Sequence, residues 1–98
     1  MRQSGADLVA VRHVPDEQRF VADVVGGEAE IAYTGPRDGV VALVHTEVPE
    51  ESRGAGVGEA IASEALGWAR ASGLKVRPLC PFVAAFIRRH PEYQDLVA

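Results

Sequence analysis

"PEESRGAGVGEAIASEALGWARAS" spans Pro49–Ser72, and its reading decides how the chain folds. Its front places Gly54, Gly56 and Gly58 directly behind Arg53. Its back carries Ile61, Ala65, Trp68 and Ala69 at the spacing of one buried helical face. Glycine at a helix start costs stability, because its backbone loses the most freedom on ordering. A first turn stripped of side chains presents free N–H groups at the positive end of the helix dipole. That is an anion site suited to a phosphate or diphosphate, and Arg53 adds a charge-assisted partner. The plainer alternative is a glycine-rich turn that merely feeds a helix.

Outward from this stretch the period changes. Upstream, "DLVAVRH" (7–13) alternates and ends at Pro15, the pattern of a first strand. "QRFVADVV" (18–25) and "EAEIAYT" (28–34) flank Gly26-Gly27, a tight-turn signal. "GPRDG" (35–39) marks a second turn. "VVALVHTEV" (40–48) is nearly all apolar until His45, which predicts a strand covered on both faces. Together these form an antiparallel four-stranded meander. Downstream, the helix runs over 59–72 with Gly73 as its C-cap. "LKVRPLC" (74–80) is a short strand, and "PFVAAFIRR" (81–89) is a second helix with Pro81 at its first position. Arg88 and Arg89 suit that helix's negative end, and Pro91 stops it. The order β-β-β-β-α-β-α gives an α+β fold, a mixed sheet with helices packed on it.

The bulk numbers narrow the function. Ninety-eight residues make a single domain, 1–98. A formal charge of −4 disfavours a nucleic-acid binder, which needs clustered Lys and Arg. No apolar run nears the ~20 residues of a membrane span, and the start is not a secretory signal. Cys80 is the one cysteine, so no internal disulfide forms and a reducing cytoplasm is the expected compartment. His13, His45 and His90 stand far apart without metal-ligand spacing, so no metal site is expected.

Two phosphate motifs fail on inspection. A P-loop needs Lys and a hydroxyl after its last glycine, and "GAGVGEAI" has neither. A dinucleotide fingerprint would put its third glycine at Glu59, after hairpins rather than inside a parallel βαβ unit. What fits is R-x-x-G-x-G, Arg53 to Gly58, between an apolar strand and a helix. It resembles the acetyl-CoA diphosphate loop of the GCN5-related N-acetyltransferases. The His45-Thr46-Glu47-Val48-Pro49, Cys80-Pro81 and His90-Pro91-Glu92-Tyr93 boxes resemble in particular the small YidJ-like subgroup, typified also by N-acetyltransferase domain-containing protein 1. Ser52 departs from it, standing where the subgroup often has an aromatic residue.

The resemblance implies an acetyl-CoA-dependent N-acetyltransferase acting on a primary amine of a small molecule, peptide or protein, as a monomer or weak dimer. It also implies that Arg53, Gly54, Ala55, Gly56, Val57, Gly58 and Glu59 contact the diphosphate of coenzyme A. Glu47 and Val48 would offer backbone groups to the pantetheine arm, where the 40–48 and 74–80 strands splay. The family's usual N-terminal strand and helix pair has no counterpart here, which leaves the acceptor open. A coenzyme-A-binding sensor or partner module without turnover is the competing reading.

Acetyl transfer to an amine needs a neutral amine, oxyanion stabilisation and a proton for the leaving thiolate. Cys80, at the splay and just before a helix, is a candidate nucleophile or acid; the alternative is a small buried apolar residue. His45 and Glu47 share a strand face, and either could take the amine proton directly or through water, or be structural. Tyr93 is a candidate phenolic acid or a tail anchor. His90 reads as a helix cap, and Trp68, Phe82 and Phe86 read as core.

Overall fold

β-Branched and aromatic residues at alternate positions build one mixed sheet. Its strands are β1 (Arg12–Val14), β2 (Arg19–Val24), β3 (Gly27–Arg37), β4 (Val40–Glu47) and β5 (Lys75–Pro78), ordered β1-β2-β3-β4-β5. The computed structural model describes residues 9–98. The first four strands pair antiparallel, as the meander pattern predicts, and β5 joins β4 in parallel. A parallel partner needs a crossover, which helix α1 (Val57–Ala71) supplies. Helix α2 (Pro81–Arg89) follows β5 with the predicted bounds. The chain ends in a 3-10 stretch, Pro91–Leu96, and Val97 bridges Val76. The 3-10 turn and the bridge have no signal in the sequence, which marks only Tyr93 as a candidate anchor of this tail.

Both helices cover one face of the sheet. Phe20, Ile31, Leu43 and Val76 from the strands meet Ile61, Leu66, Val83 and Phe86 from the helices, all buried. Alanines at 62, 65 and 69 let α1 lie close to the sheet. Each large apolar side chain removed from water contributes about 1.5–3 kcal/mol. α1 stops where Gly73, at φ 71°, lets the Leu74 N–H reach the Ala69 carbonyl at 2.8 Å. That bond, with Gly73 N–H on Arg70, is a Schellman closure.

An aromatic cluster fills the core at the second half of α1. His13 stacks on Phe20 with ring centroids 4.1 Å apart, and Trp68 meets both edge-on. His13 Nε2 and Tyr33 Oη share a hydrogen bond at 2.6 Å. Burial lowers the His13 pKa below its ordinary value and raises that of Tyr33.

Four expectations need correction. β1 begins at Arg12, not residue 7; Asp7 and Leu8 lie outside the described residues. Val9 and Val11 leave the sheet edge and pack against the core instead, so burial wins over strand pairing. The β2–β3 turn is Val25-Gly26, because Gly27 already pairs with Val24. α1 starts at Val57, two residues before the amphipathic pattern becomes visible. Finally, β4 is covered on one face only. Val41 and Leu43 are buried while Val44 is 38% exposed, since both helices sit on the same side. Among the described residues no helix is long and apolar enough to cross a membrane.

Candidate functional site

β4 and β5 stay together for only four residue pairs, from Val40 with Lys75 to Leu43 with Pro78. Pro78 offers no N–H to continue the ladder. The Leu43 carbonyl then accepts from both Leu79 N and Cys80 N, each at 3.0 Å, and the chain turns into α2. Beyond this point β4 pairs with β3 alone. The strands part, and a cavity of about 670 Å³ opens between the end of β4, the loop before α1 and the start of α2. Its size falls within the range of small-molecule sites.

A bulge decides which side chains reach that cavity. Tyr33 pairs with Leu43 but Ala32 pairs with His45, so Val44 is an extra residue. Simple alternation would put His45 on the core side with Leu43. The extra residue moves Thr46 there instead, opposite buried Ile31, and leaves His45 and Glu47 on the open face. Thr46 Oγ1 consequently lies 3.1 Å from Cys80 Sγ, within hydrogen-bond reach for sulfur, and both residues line the cavity. Cys80 is 5% exposed and N-caps α2. Thr46 is not among the sequence's site candidates, because nothing there marks a bulge.

The three glycines answer to two physical needs. Gly54 and Gly56 adopt φ of 84° and 82°, a left-handed backbone that favours glycine. A Cβ on Gly54 would meet nothing within 4 Å, so conformation and not crowding selects glycine there. Gly58 differs. A Cβ there would sit 2.6 Å from the Phe82 ring, so this glycine lets α2 approach α1. Phe82 is thus a wall of the cavity as well as a core residue.

The loop leaves main-chain donors free. Ala60 N–H makes the first helical bond, to Gly56 at 3.0 Å. Among the described residues no acceptor meets the N–H groups of Val57, Gly58 or Glu59, the usual orphans of a helix start. Arg53 Nε donates to the Val48 carbonyl at 3.1 Å, which ties the loop to the end of β4. Ser52, buried, donates to the Val25 carbonyl at 2.7 Å and fixes the loop to the β2–β3 turn. Its small hydroxyl does this in the place where an aromatic residue was expected. Glu59 brings a negative charge to this end of α1, and Arg89 faces it at 3.8 Å.

The cavity gathers Glu47, Val48, Arg53, Gly54, Gly56, Val57, Gly58, Glu59 and Cys80 of the sequence candidates; Ala55 is not on its wall. His45 stands outside on the open sheet face, its Nε2 3.6 Å from Glu47 Oε1 and 3.8 Å from Glu30 Oε2. Tyr93 lies elsewhere, its hydroxyl 3.3 Å from Ser63 Oγ, at a separate concavity between α1 and the tail. His90 caps α2 and packs on Phe86 with centroids 4.2 Å apart. Among the described residues no group of acidic, cysteine or histidine side chains could hold a metal ion.

These residues fit the diphosphate and thioester arm of coenzyme A. Unmet amides and Arg53 suit the anion, and the parted strands leave room for an extended chain. Comparison with known proteins bears on the family. A family model described as GCN5-related N-acetyl-transferase matches residues 19–96. The solution structure of a GCN5-like protein from Staphylococcus aureus, named as a candidate N-acetyltransferase, superposes with a TM-score of 0.72 at 25% identity. That match covers 91% of this chain and 87% of the other. No curated protein sequence matches significantly.

Proposed function

The chain belongs to the GCN5-related N-acetyltransferase family, and from that premise we propose that it transfers an acetyl group from acetyl-CoA to a primary amine at the β4–β5 splay. The boxes at His45–Pro49, Cys80-Pro81 and His90–Tyr93 favour the small YidJ-like subgroup within that family. The observation that carries the reading is the cavity itself. It joins unmet amides at the α1 start to a thiol–hydroxyl pair where the strands part.

Acetyl-CoA, when bound, supplies an activated thioester whose C–S bond breaks as the amine nitrogen bonds the carbonyl carbon. The protein's residues do the rest. Val57, Gly58 and Glu59 N–H groups and Arg53 hold the diphosphate, with Gly54 and Gly56 shaping the loop. Phe82 and Val48 wall the arm and keep water away. Cys80, held by Thr46, gives its proton to the departing thiolate sulfur and regains one from solvent through the Thr46 hydroxyl. Glu47, with His45 and Glu30 beside it, accepts the amine proton from the open side of the sheet. Proximity supplies much of the remaining rate. Tyr93 lies not on the cavity wall but in the adjoining concavity, which shares Glu59 with it, and there it anchors the tail through Ser63.

Calorimetry with acetyl-CoA, followed by a thiol-release assay over a panel of amines, tests this. Binding and release are expected. A Gly56→Val variant cannot hold φ 82° without strain, and its acetyl-CoA affinity should fall by about 100-fold or more, the scale of losing two charge-assisted bonds. Unchanged affinity in that variant would remove the diphosphate assignment. Binding without release over the whole panel would favour a coenzyme-A sensor instead.

A further inference from the structure

The open face of the sheet carries opposite charges at its two ends. Toward the splay, Glu17, Asp23, Glu28, Glu30 and Glu47 outnumber Arg12 and Arg19, and both arginines are tied up in ion pairs at 2.7–3.5 Å. At the other end, under the β3–β4 turn, a second concavity of about 660 Å³ is lined by Arg37, Arg77, Asp38, Thr34 and Ala42, among others. Thr34, Ala42 and Arg77 are direct neighbours across β3, β4 and β5. Among the described residues neither Arg37 nor Arg77 has a carboxylate within ion-pair distance. Two guanidiniums without an ion-pair partner among the described residues line one hollow, where they outnumber its single carboxylate, Asp38, and guanidinium forks suit carboxylate and phosphate. Between the two ends lie exposed Val44 and Leu79, 38% and 59% accessible, at the point where β4 and β5 part.

The geometry points to an acceptor that bears an anionic group, carboxylate or phosphate, on the order of 10 Å from its reacting amine, the length of three strand residues from Ala42 to His45. This rests on the acetyl-transfer reading and narrows its substrate class. Arg37 and Arg77 hold the anionic end. Val44 and Leu79 line the linking carbons. The carboxylates beside His45 draw the ammonium end to the splay and disfavour a second anion there.

A matched-length series tests it: 6-aminohexanoate, 6-aminohexyl phosphate, hexylamine and 1,6-diaminohexane. The two anionic amines should exceed hexylamine in kcat/KM by roughly tenfold, with the diamine lowest, and salt should shrink the spread. The carboxylate and phosphate arms show which anion the hollow prefers. In an Arg37→Gln, Arg77→Gln double variant the ratio of 6-aminohexanoate to hexylamine should fall to about one. Equal rates across the series, or a ratio that survives in the double variant, would overturn the proposal. Titration of 6-aminohexanoate alone should shift the backbone amides of Thr34, Ala42 and Arg77, and no shift there would equally overturn it. Acetyl-CoA calorimetry on the same samples separates the two readings. Binding without those shifts removes the anionic acceptor and leaves the acetyltransferase. Shifts without acetyl-CoA binding leave an anion-binding hollow and remove the acetyltransferase reading, and the acceptor role with it.

Discussion

The two halves of β4 do different work. Val40–Leu43 lies between β3 and β5, hydrogen-bonded on both edges, with Val41 and Leu43 fully packed under the helices. Val44–Glu47 pairs with β3 alone, begins with a bulge and ends at the cavity. One half is flanked by a strand on each edge and buries its core-facing side chains, Val41 and Leu43. The other leaves an edge unpaired, a row of main-chain N–H and C=O groups open to an extended partner. A strand can therefore serve as scaffold for part of its length and as a receptor edge for the rest. The point of change is set by Pro78 on the neighbouring strand and the extra residue Val44.

The largest expected effect comes from damaging the scaffold half. Leu43 is among the largest fully buried side chains, so Leu43→Ala should cost about 2–5 kcal/mol, lost methyls plus cavity. Urea unfolding measures it. If the two halves are separate in function, folded Leu43→Ala protein retains its acetyl-CoA affinity within about threefold, a shift of under 1 kcal/mol. A large loss of affinity in folded protein would show that the halves act as one unit.

Much of this arrangement was readable from the chain. Pro81 at a helix start and Pro91 after its end bracketed α2 to the residue, and Gly73 marked the end of α1. The meander followed from alternation between turn clusters, and most of the cavity wall from one glycine-rich stretch. What the sequence hid was facing. Val44 is an ordinary apolar residue in an apolar run, so the bulge that exchanges His45 for Thr46 has no local signature. Gly58 read like Gly54 and Gly56 although its partner is Phe82, 24 positions later in the chain. The departure of Val9 and Val11 from the first strand likewise depends on tertiary burial that no window of sequence contains.

A smaller effect probes the receptor half. Thr46→Val removes the hydroxyl beside Cys80 while keeping its shape, and Cys80→Ala removes the thiol. Each should lower kcat/KM by roughly tenfold, less than a general acid usually contributes because proximity supplies much of the rate, with stability changed by about 1 kcal/mol or less for Thr46→Val. In the double variant the losses should not add, because the pair acts as one proton-carrying unit. Additive losses in steady-state assays would instead give Thr46 and Cys80 independent roles.

The smallest effect uses pH to press on the scaffold half alone. Tyr33 pairs with Leu43 across the sheet, and its hydroxyl is bonded to His13 in the aromatic cluster, away from the cavity. Burial lowers the folded-state pKa of His13 from the ordinary 6.5. The folded protein thus binds this proton less readily than the unfolded chain. The stabilisation is complete above the unfolded value and is lost as pH falls through it, because the unfolded chain takes up the proton first. The loss levels off once the folded-state value is passed. Urea midpoints should drop modestly between about pH 7.5 and 5.5, and His13→Gln, which cannot titrate, should flatten that part of the curve. Acetyl-CoA affinity should not share the slope assigned to His13, since the histidine touches neither the loop nor the splay. If His13→Gln changes the pH profile of binding as much as that of unfolding, the two halves of β4 are coupled through the core that lies between them.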